Sequence, residues 1–340
     1  MFKILADATL PLLDLFEPPF IVTRYSDKNS LQTHLPSHDI LLCRSTLTVD
    51  EPLLADTAIQ SVATASSGVD HIDIAYLEQR QISLFDAKGC NAHAVADYVT
   101  STLSWLLKHQ LIQNKTAGVV GLGHVGQKVA TRLKDFGLTV YHYDPLRAQT
   151  QSDFETCTLD EIKSCDLISL HANLHDTQPF ATRKLINEAF LKDLAPNTVL
   201  INASRGDIVD EHALLSSSII YCTDVYAHEP QIAAAIIDYA KLCTPHIAGH
   251  SIEAKKNAII DLMIKLHTHV GQSLPHQISA YSPVSLVSDK HYSLEDNWLK
   301  HYYPSKETSA LKTAKDKTQG FLELRRAHCF RHDVSFQQDL

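Results

Sequence analysis

The sequence predicts an α/β protein built on parallel sheets, and three observations carry that prediction. Short apolar runs alternate with helix-like stretches along most of the 340 residues. Glycine is scarce, 11 residues in all, yet four of them fall between Gly118 and Gly126. Beyond Pro275 the composition turns polar and charged and long apolar strands stop, which suggests an appended module.

Up to about residue 92, the runs at residues 3–5, 40–43, 61–64 and 82–85 read as strands of a first parallel unit. From Ala92 to about Gln110, Val95, Tyr98, Val99, Leu103, Leu106 and Leu107 recur at helical spacing. Residues 116–120 are short, apolar and strand-like, and they lead into Gly121-Leu122-Gly123-His124-Val125-Gly126. This is G-x-G-x-x-G spacing with a mechanical meaning. Gly121 makes a tight turn, Gly123 lets a pyrophosphate approach bare backbone, and Gly126 lets the next helix pack on the sheet. The free N–H groups of that helix then face the phosphates. Val125, Val129, Leu133 and Phe136 mark the helix, and Gly137 ends it.

The next apolar run starts at Leu138 and ends at Asp144, eighteen residues past Gly126. A carboxylate about 20 residues on is where the adenosine ribose is held. It would accept the 2′-hydroxyl and repel a 2′-phosphate, so NAD is favoured over NADP. The prediction is a Rossmann-type NAD-binding domain over residues 93–251. Its sheet continues through residues 166–171, 198–202 and 219–224. The polar ends of those strands are candidate ligand contacts, because ligands of open α/β sheets sit at the carboxyl ends. The helical stretch from Glu253 to about Val270 is expected to return to the first unit.

A net charge of −9 argues against nucleic acid or an anionic membrane as partner. No apolar run reaches the roughly 18 residues of a membrane helix, and the N-terminal residues lack signal-peptide character. Seven scattered cysteines without a C-x-x-C point to a reducing compartment, so a cytoplasmic protein is expected. His171 and His175 have no H-E-x-x-H or cysteine partner, and no metal is expected.

Three further pieces follow in order: Asn202-Ala203-Ser204-Arg205-Gly206, then Asp224 through Glu229-Pro230, then Pro245-His246-Ile247-Ala248-Gly249. With the glycine motif, this order and spacing resembles the D-isomer-specific 2-hydroxyacid dehydrogenases over about residues 1–275. The resemblance implies NAD as cofactor and a flavodoxin-like substrate domain from residues 1–92 and 252–280. It implies that His246 is the general base, that Glu229 orients it and that Arg205 binds the substrate carboxylate. The residue types suit the chemistry. A histidine accepts a hydroxyl proton near neutral pH, a carboxylate fixes its tautomer, and a planar guanidinium matches a carboxylate. The implied cofactor contacts are Gly121, Gly123, His124, Val125, Gly126, Asp144, Ala172, Ala203, Ser204, Arg205, Asp224 and Gly249.

Within that family, Arg44-Ser45-Thr46, the segment from Thr64 to Asp73 and Gly89-Cys90-Asn91-Ala92 are most similar to one branch. Its substrate is 4-phospho-D-erythronate, a precursor of vitamin B6, and it carries a C-terminal dimerisation module. The resemblance implies a homodimer and puts Arg44, Ser45, Ser66 and His250 at the substrate. It assigns residues 281–340 to the module, in trimmed form, with residues 321–326 and 331–333 in a basic helix. Arg44 and one of Arg325, Arg326 and Arg331 are expected to neutralise the substrate phosphate. His250 departs from the tyrosine usual in the branch, Ala172-Asn173 replaces Thr-Pro, and Lys88 replaces a proline. Two other readings stay open. One is a sister enzyme, D-3-phosphoglycerate dehydrogenase or a glyoxylate/hydroxypyruvate reductase. The other is an NAD-sensing protein that uses the fold for partner recognition.

Overall fold

Two parallel sheets organise the chain. The computed structural model describes residues 1–16, 18–274, 279–287 and 289–337. Contacts divide them into two units, Met1–Asn91 with Ser251–Pro283, and Ala92–His250 with Val284–Leu340.

The first unit holds β1 (Phe2–Asp7), β2 (Phe20–Tyr25), β3 (Ile40–Cys43), β4 (Ser61–Thr64) and β5 (Ser83–Asp86). They pair in parallel in the order β2-β1-β3-β4-β5, the flavodoxin-like order. Alternate residues of a strand face opposite sides of the sheet, and both sides are covered here. Ile4, Ala6, Leu42 and Ala63 pack with Ile259, Leu262, Met263 and Leu266 of the helix Ile252–His269. Leu5, Leu41, Cys43 and Val62 pack on the other side with Leu31, Leu54 and Leu77. Double coverage is why β3 and β4 are buried throughout. β2 was not among the expected strands. It lies at the sheet edge with a part-exposed centre, so its polar Thr23 and Arg24 mask the apolar signal.

The second unit holds β6 (Thr116–Val120), β7 (Thr139–Tyr143), β8 (Leu167–Leu170), β9 (Val199–Asn202), β10 (Ile220–Thr223) and β11 (Leu242–Cys243). Their order is β11-β10-β9-β8-β6-β7, all parallel. Strand order reverses between β6 and β8. Such a switch point opens a ligand crevice at the carboxyl ends.

The C-terminal segment does not stand as a third unit; contacts group it with the nucleotide-type sheet. Leu311 and Phe321 join one of that sheet's hydrophobic clusters and Tyr302 joins the other. The segment contains the helices Leu294–His301, Ser305–Thr313 and Lys317–Ala327. It also has two short parallel strands, β12 (Val284–Val287) and β13 (Val334–Gln337). These strands pair over a long sequence separation, which local periodicity does not reveal. The expected basic helix is corrected too. It ends at Ala327, and Arg331 to Asp333 lie beyond it.

Candidate active site

The glycine motif forms the loop between β6 and the helix His124–Asp135. Gly121 has φ +87°, and a Cβ there would stand 2.5 Å from the backbone nitrogen of Ala172. A Cβ on Gly126 would meet the Gly121 carbonyl oxygen at 1.9 Å, so helix and loop touch backbone to backbone. Gly123 caps the helix, and a Cβ there would meet nothing within 4 Å beyond its chain neighbours and own helix. Its bare backbone serves no packing need inside the chain, which fits a place reserved for a pyrophosphate. His124 and Val125 begin the helix. Asp144 follows β7 and accepts from Leu122 N at 2.8 Å and Arg147 N at 3.0 Å, which ties the acid to the loop.

Across the switch point, Ala172 leans on Gly121, and the Ser204 hydroxyl donates to the Ala172 carbonyl. Ser204 follows Ala203 at the end of β9, where Asn202 accepts from Ser204 N and donates to the Arg205 carbonyl at 2.9 Å. The ends of β6, β8 and β9 therefore meet. Gly206 then brings the Arg205 loop against the next one. A Cβ on Gly206 would lie 1.9 Å from the Tyr226 carbonyl carbon.

That next loop carries the central pair. His246 Nδ1 lies 2.6 Å from Glu229 Oε2, and Tyr226 N donates to Glu229 Oε1 at 2.9 Å. Burial pushes the Glu229 carboxyl up, but the His246 charge and hydrogen bond, Tyr226 N and the Arg325 charge together hold it below its ordinary value. Glu229 is thus a carboxylate, so Nδ1 carries the proton and donates. In the neutral ring Nε2 then keeps the lone pair.

His246 has φ +54°, a left-handed conformation that costs a non-glycine residue about 1–3 kcal/mol when held away from its preferred wells. Asp224 over-determines it. Its carboxylate accepts from Thr244 Oγ1 at 2.7 Å and from the backbone nitrogens of Ile247 and Ala248 at 2.8 Å each. His250 follows Gly249, and its ring lies 6.1 Å from that of His328 and 6.0 Å from that of Phe330.

In the first unit, Arg44 and exposed Ser45 follow β3, and Ser66 follows β4, at neighbouring carboxyl ends. Arg44 Nε donates to Asp7 Oδ2 at 2.8 Å, at the β1–β3 switch point. Ser66 Oγ accepts from Thr64 Oγ1 at 3.1 Å.

Comparison with known proteins gives the family. The chain is 48% identical to erythronate-4-phosphate dehydrogenase of Legionella pneumophila, over 98% of this chain and 95% of that protein. It is 35% identical to the erythronate-4-phosphate dehydrogenase of Coxiella burnetii, over 98% and 94%. Residues 91–248 match the NAD binding domain of the D-isomer specific 2-hydroxyacid dehydrogenases.

The chain belongs to the D-isomer specific 2-hydroxyacid dehydrogenase family.

Solved structures agree on the fold. A Staphylococcus aureus NAD-dependent formate dehydrogenase in complex with NAD matches with TM-score 0.66 at 24% identity, covering 82% of this chain and all of that one. An NAD-bound 3-phosphoglycerate dehydrogenase of Entamoeba histolytica matches with TM-score 0.66 at 21% identity, covering 83% and 99%. NAD is therefore the cofactor of a 2-hydroxyacid dehydrogenase fold here, and the glycine loop fits it.

Some parts of the dehydrogenase site escaped the sequence reading. The bracing by Asp224 was hidden, because the acid and the two amides it holds lie more than twenty residues apart. Tyr226 was also missed; its hydroxyl donates to the Thr244 carbonyl at 2.9 Å and pins the two loops together. The tail arginines separate. Arg331 is buried and donates to the carbonyls of Ala94 at 2.8 Å and Ala248 at 2.5 Å, so it clamps the loop after His246. Arg326 is exposed, and Arg325 faces Glu229. Among the described residues no group of three or more His, Cys, Asp or Glu could hold a metal ion, and no helix is long and apolar enough to cross a membrane.

His171, against the glycine loop, makes a pH prediction. Its Nε2 meets Ser169 Oγ at 2.8 Å, and burial pushes its imidazole down to about 3. The unfolded chain takes up a proton near the ordinary value of 6.5, and the folded one does so only near 3. The unfolded state therefore binds more protons between those values, and stability falls as pH drops through that window. Asp97 acts in the opposite direction: burial raises it to about 7, so its contribution falls as pH rises from about 4 to 7. A difference measurement separates the two. Urea unfolding of wild type and His171→Asn at pH 5 and pH 7 is expected to show wild type losing roughly 2 kcal/mol more on acidification. Equal losses would contradict a neutral buried His171.

Proposed function

We propose that this dehydrogenase oxidises 4-phospho-D-erythronate to (R)-3-hydroxy-2-oxo-4-phosphooxybutanoate, a step of vitamin B6 biosynthesis. The observation that carries the reading is the 2.6 Å contact between His246 Nδ1 and Glu229. It leaves Nε2 as the acceptor for the C2 hydroxyl proton. Glu229 stabilises the imidazolium that results. Arg205 binds the substrate carboxylate, for which its flat fork of donors is suited. NAD, when bound, supplies the acceptor for the hydride leaving C2.

Around the cofactor, Gly121, Gly123, His124, Val125 and Gly126 are proposed for the pyrophosphate, and Asp144 for the ribose hydroxyls. Ala172, Ala203, Ser204, Arg205 and Gly249 are proposed to line its nicotinamide half. Asp224 Oδ2 accepts one protein hydrogen bond, so it can take one more, from the carboxamide. Arg44, Ser45, Ser66 and His250 are proposed for the substrate. With Nε given to Asp7, Arg44 keeps its terminal nitrogens for phosphate. The tail is proposed to support a homodimer, and the free thiols favour a reducing cytoplasm.

The substrate is supported by the names of relatives that match nearly the whole chain. The test is a screen of purified protein with NAD and a panel of phosphorylated and plain 2-hydroxy acids, read as NADH absorbance. A phosphate held by charge-assisted hydrogen bonds is worth about 3 kcal/mol. The value of kcat/KM for 4-phospho-D-erythronate is therefore expected to exceed that for plain D-erythronate about a hundredfold. Preference for D-3-phosphoglycerate or glyoxylate would overturn the substrate. NAD binding without turnover of any acid would favour an NAD-sensing protein.

A further inference from the structure

The carboxylate of the central pair has a second cation. Arg325 Nη1 lies 3.8 Å from Glu229 Oε2, the same oxygen that meets His246 Nδ1. Arg325 sits in the last turn of the helix Lys317–Ala327, well past the residues that match the NAD binding domain.

That helix is anchored. Phe321 is buried, and its ring stands edge-on to Tyr226 at 5.9 Å and 84°. Tyr226 in turn donates its backbone N–H to Glu229 and its hydroxyl to Thr244. Gly320 permits a close approach to the preceding turn, since a Cβ there would meet Ala314 Cβ at 2.5 Å. The Arg325 guanidinium lies 6.0 Å from the Phe321 ring centroid. One helix thus supplies both the ring that props the Glu229 loop and the cation that faces its carboxylate.

We propose that Arg325 is a positioning residue of the His246–Glu229 pair, fixing Glu229 as an ionised pivot and competing with the imidazolium for the oxygen they share. This rests on the oxidation proposed above. A cation there makes a second positive charge on His246 less favourable, so the base is freer to accept the substrate proton at moderate pH. Two other cations stand near the pair and stay in place in the variants below: Arg331 caps the Ile247 and Ala248 carbonyls behind the His246 loop, and Arg205 lies on the loop that Gly206 brings against Tyr226. Asp224 lies beneath the His246 loop, and Glu211 accepts from Ala227 N at 2.9 Å with Asp207 and His228 near it. Burial raises both Asp224 and Glu211, so each carries its charge reluctantly. Glu229 stays ionised in that company, and the Arg325 charge is one of the causes.

The experiment compares full-length wild type, Arg325→Gln and Arg325→Lys in the pH profile of kcat/KM for the oxidation. The glutamine variant should move the acid limb upward by about half to one pH unit. Activity below the limb should fall about three- to tenfold, with the alkaline plateau kept within about twofold. Lysine should restore the wild-type limb. NMR titration of the His246 imidazole in the same proteins should show the same upward displacement without turnover. An unmoved limb and titration would overturn the proposal, whether the plateau drops at every pH, as for a structural residue, or only KM for the phosphorylated substrate rises, as for a phosphate ligand. A wild type inactive toward the substrate would sink the proposed function and leave the titration to decide the role of Arg325.

Discussion

Replacing His246 with glutamine is expected to lower kcat for the NAD-dependent oxidation by about 10²- to 10⁴-fold, the range that general base catalysis supplies. Glutamine keeps an amide able to reach Glu229 but presents no lone pair basic enough to take the hydroxyl proton. The loop should hold, because Asp224 braces Ile247 and Ala248 through their backbone nitrogens whatever side chain stands at 246. NAD affinity, measured by fluorescence quenching, should therefore stay near wild type while turnover collapses. If kcat fell less than tenfold with NAD binding intact, another group would be taking the proton, and the role of the Glu229 contact would have to be reconsidered.

The second large effect is a contrast between two glycines of one motif. Gly126→Ala places a methyl where the Gly121 carbonyl oxygen stands, 1.9 Å away. Backbone on both sides cannot yield cheaply, so the helix must shift off the loop. The cost expected is about 1–3 kcal/mol in stability, as for overpacked interiors, read as a lower urea midpoint. Gly123→Ala meets nothing within 4 Å beyond its chain neighbours and own helix, so its stability should change by less than about 1 kcal/mol, mostly from the poorer N-cap. If its backbone faces the pyrophosphate, the methyl intrudes there instead. NAD affinity should then fall about five- to hundredfold, the same overpacking term expressed in binding. A Gly123→Ala protein that binds NAD normally would mean the pyrophosphate does not approach that residue.

The linear chain determined more of this protein than its glycine count suggests. The spacing of Gly121, Gly123 and Gly126, an apolar strand before them and an acid eighteen residues later define a local unit whose parts lie close in sequence. Backbone geometry alone therefore fixes how they meet. The strands at residues 40–43, 61–64 and 116–120 are likewise local, since burial on both faces favours small or apolar residues along each run. The edge strand Phe20–Tyr25 was hidden because exposure at its centre erases that signal.

Motif resemblance could name His246 and Glu229, but only the fold decided that they touch, at a sequence separation of seventeen. The same holds for Asp224 as the brace of a left-handed histidine, and for the divided fates of Arg325, Arg326 and Arg331. One guanidinium faces the carboxylate, one faces solvent and one caps carbonyls at Ala94 and Ala248. The physical reason is common to all three. A helix or strand encodes its own period and its apolar face, whereas which charged tip meets which loop depends on how separate elements dock. That docking is set by packing such as Phe321 on Tyr226, which no window of neighbouring residues contains.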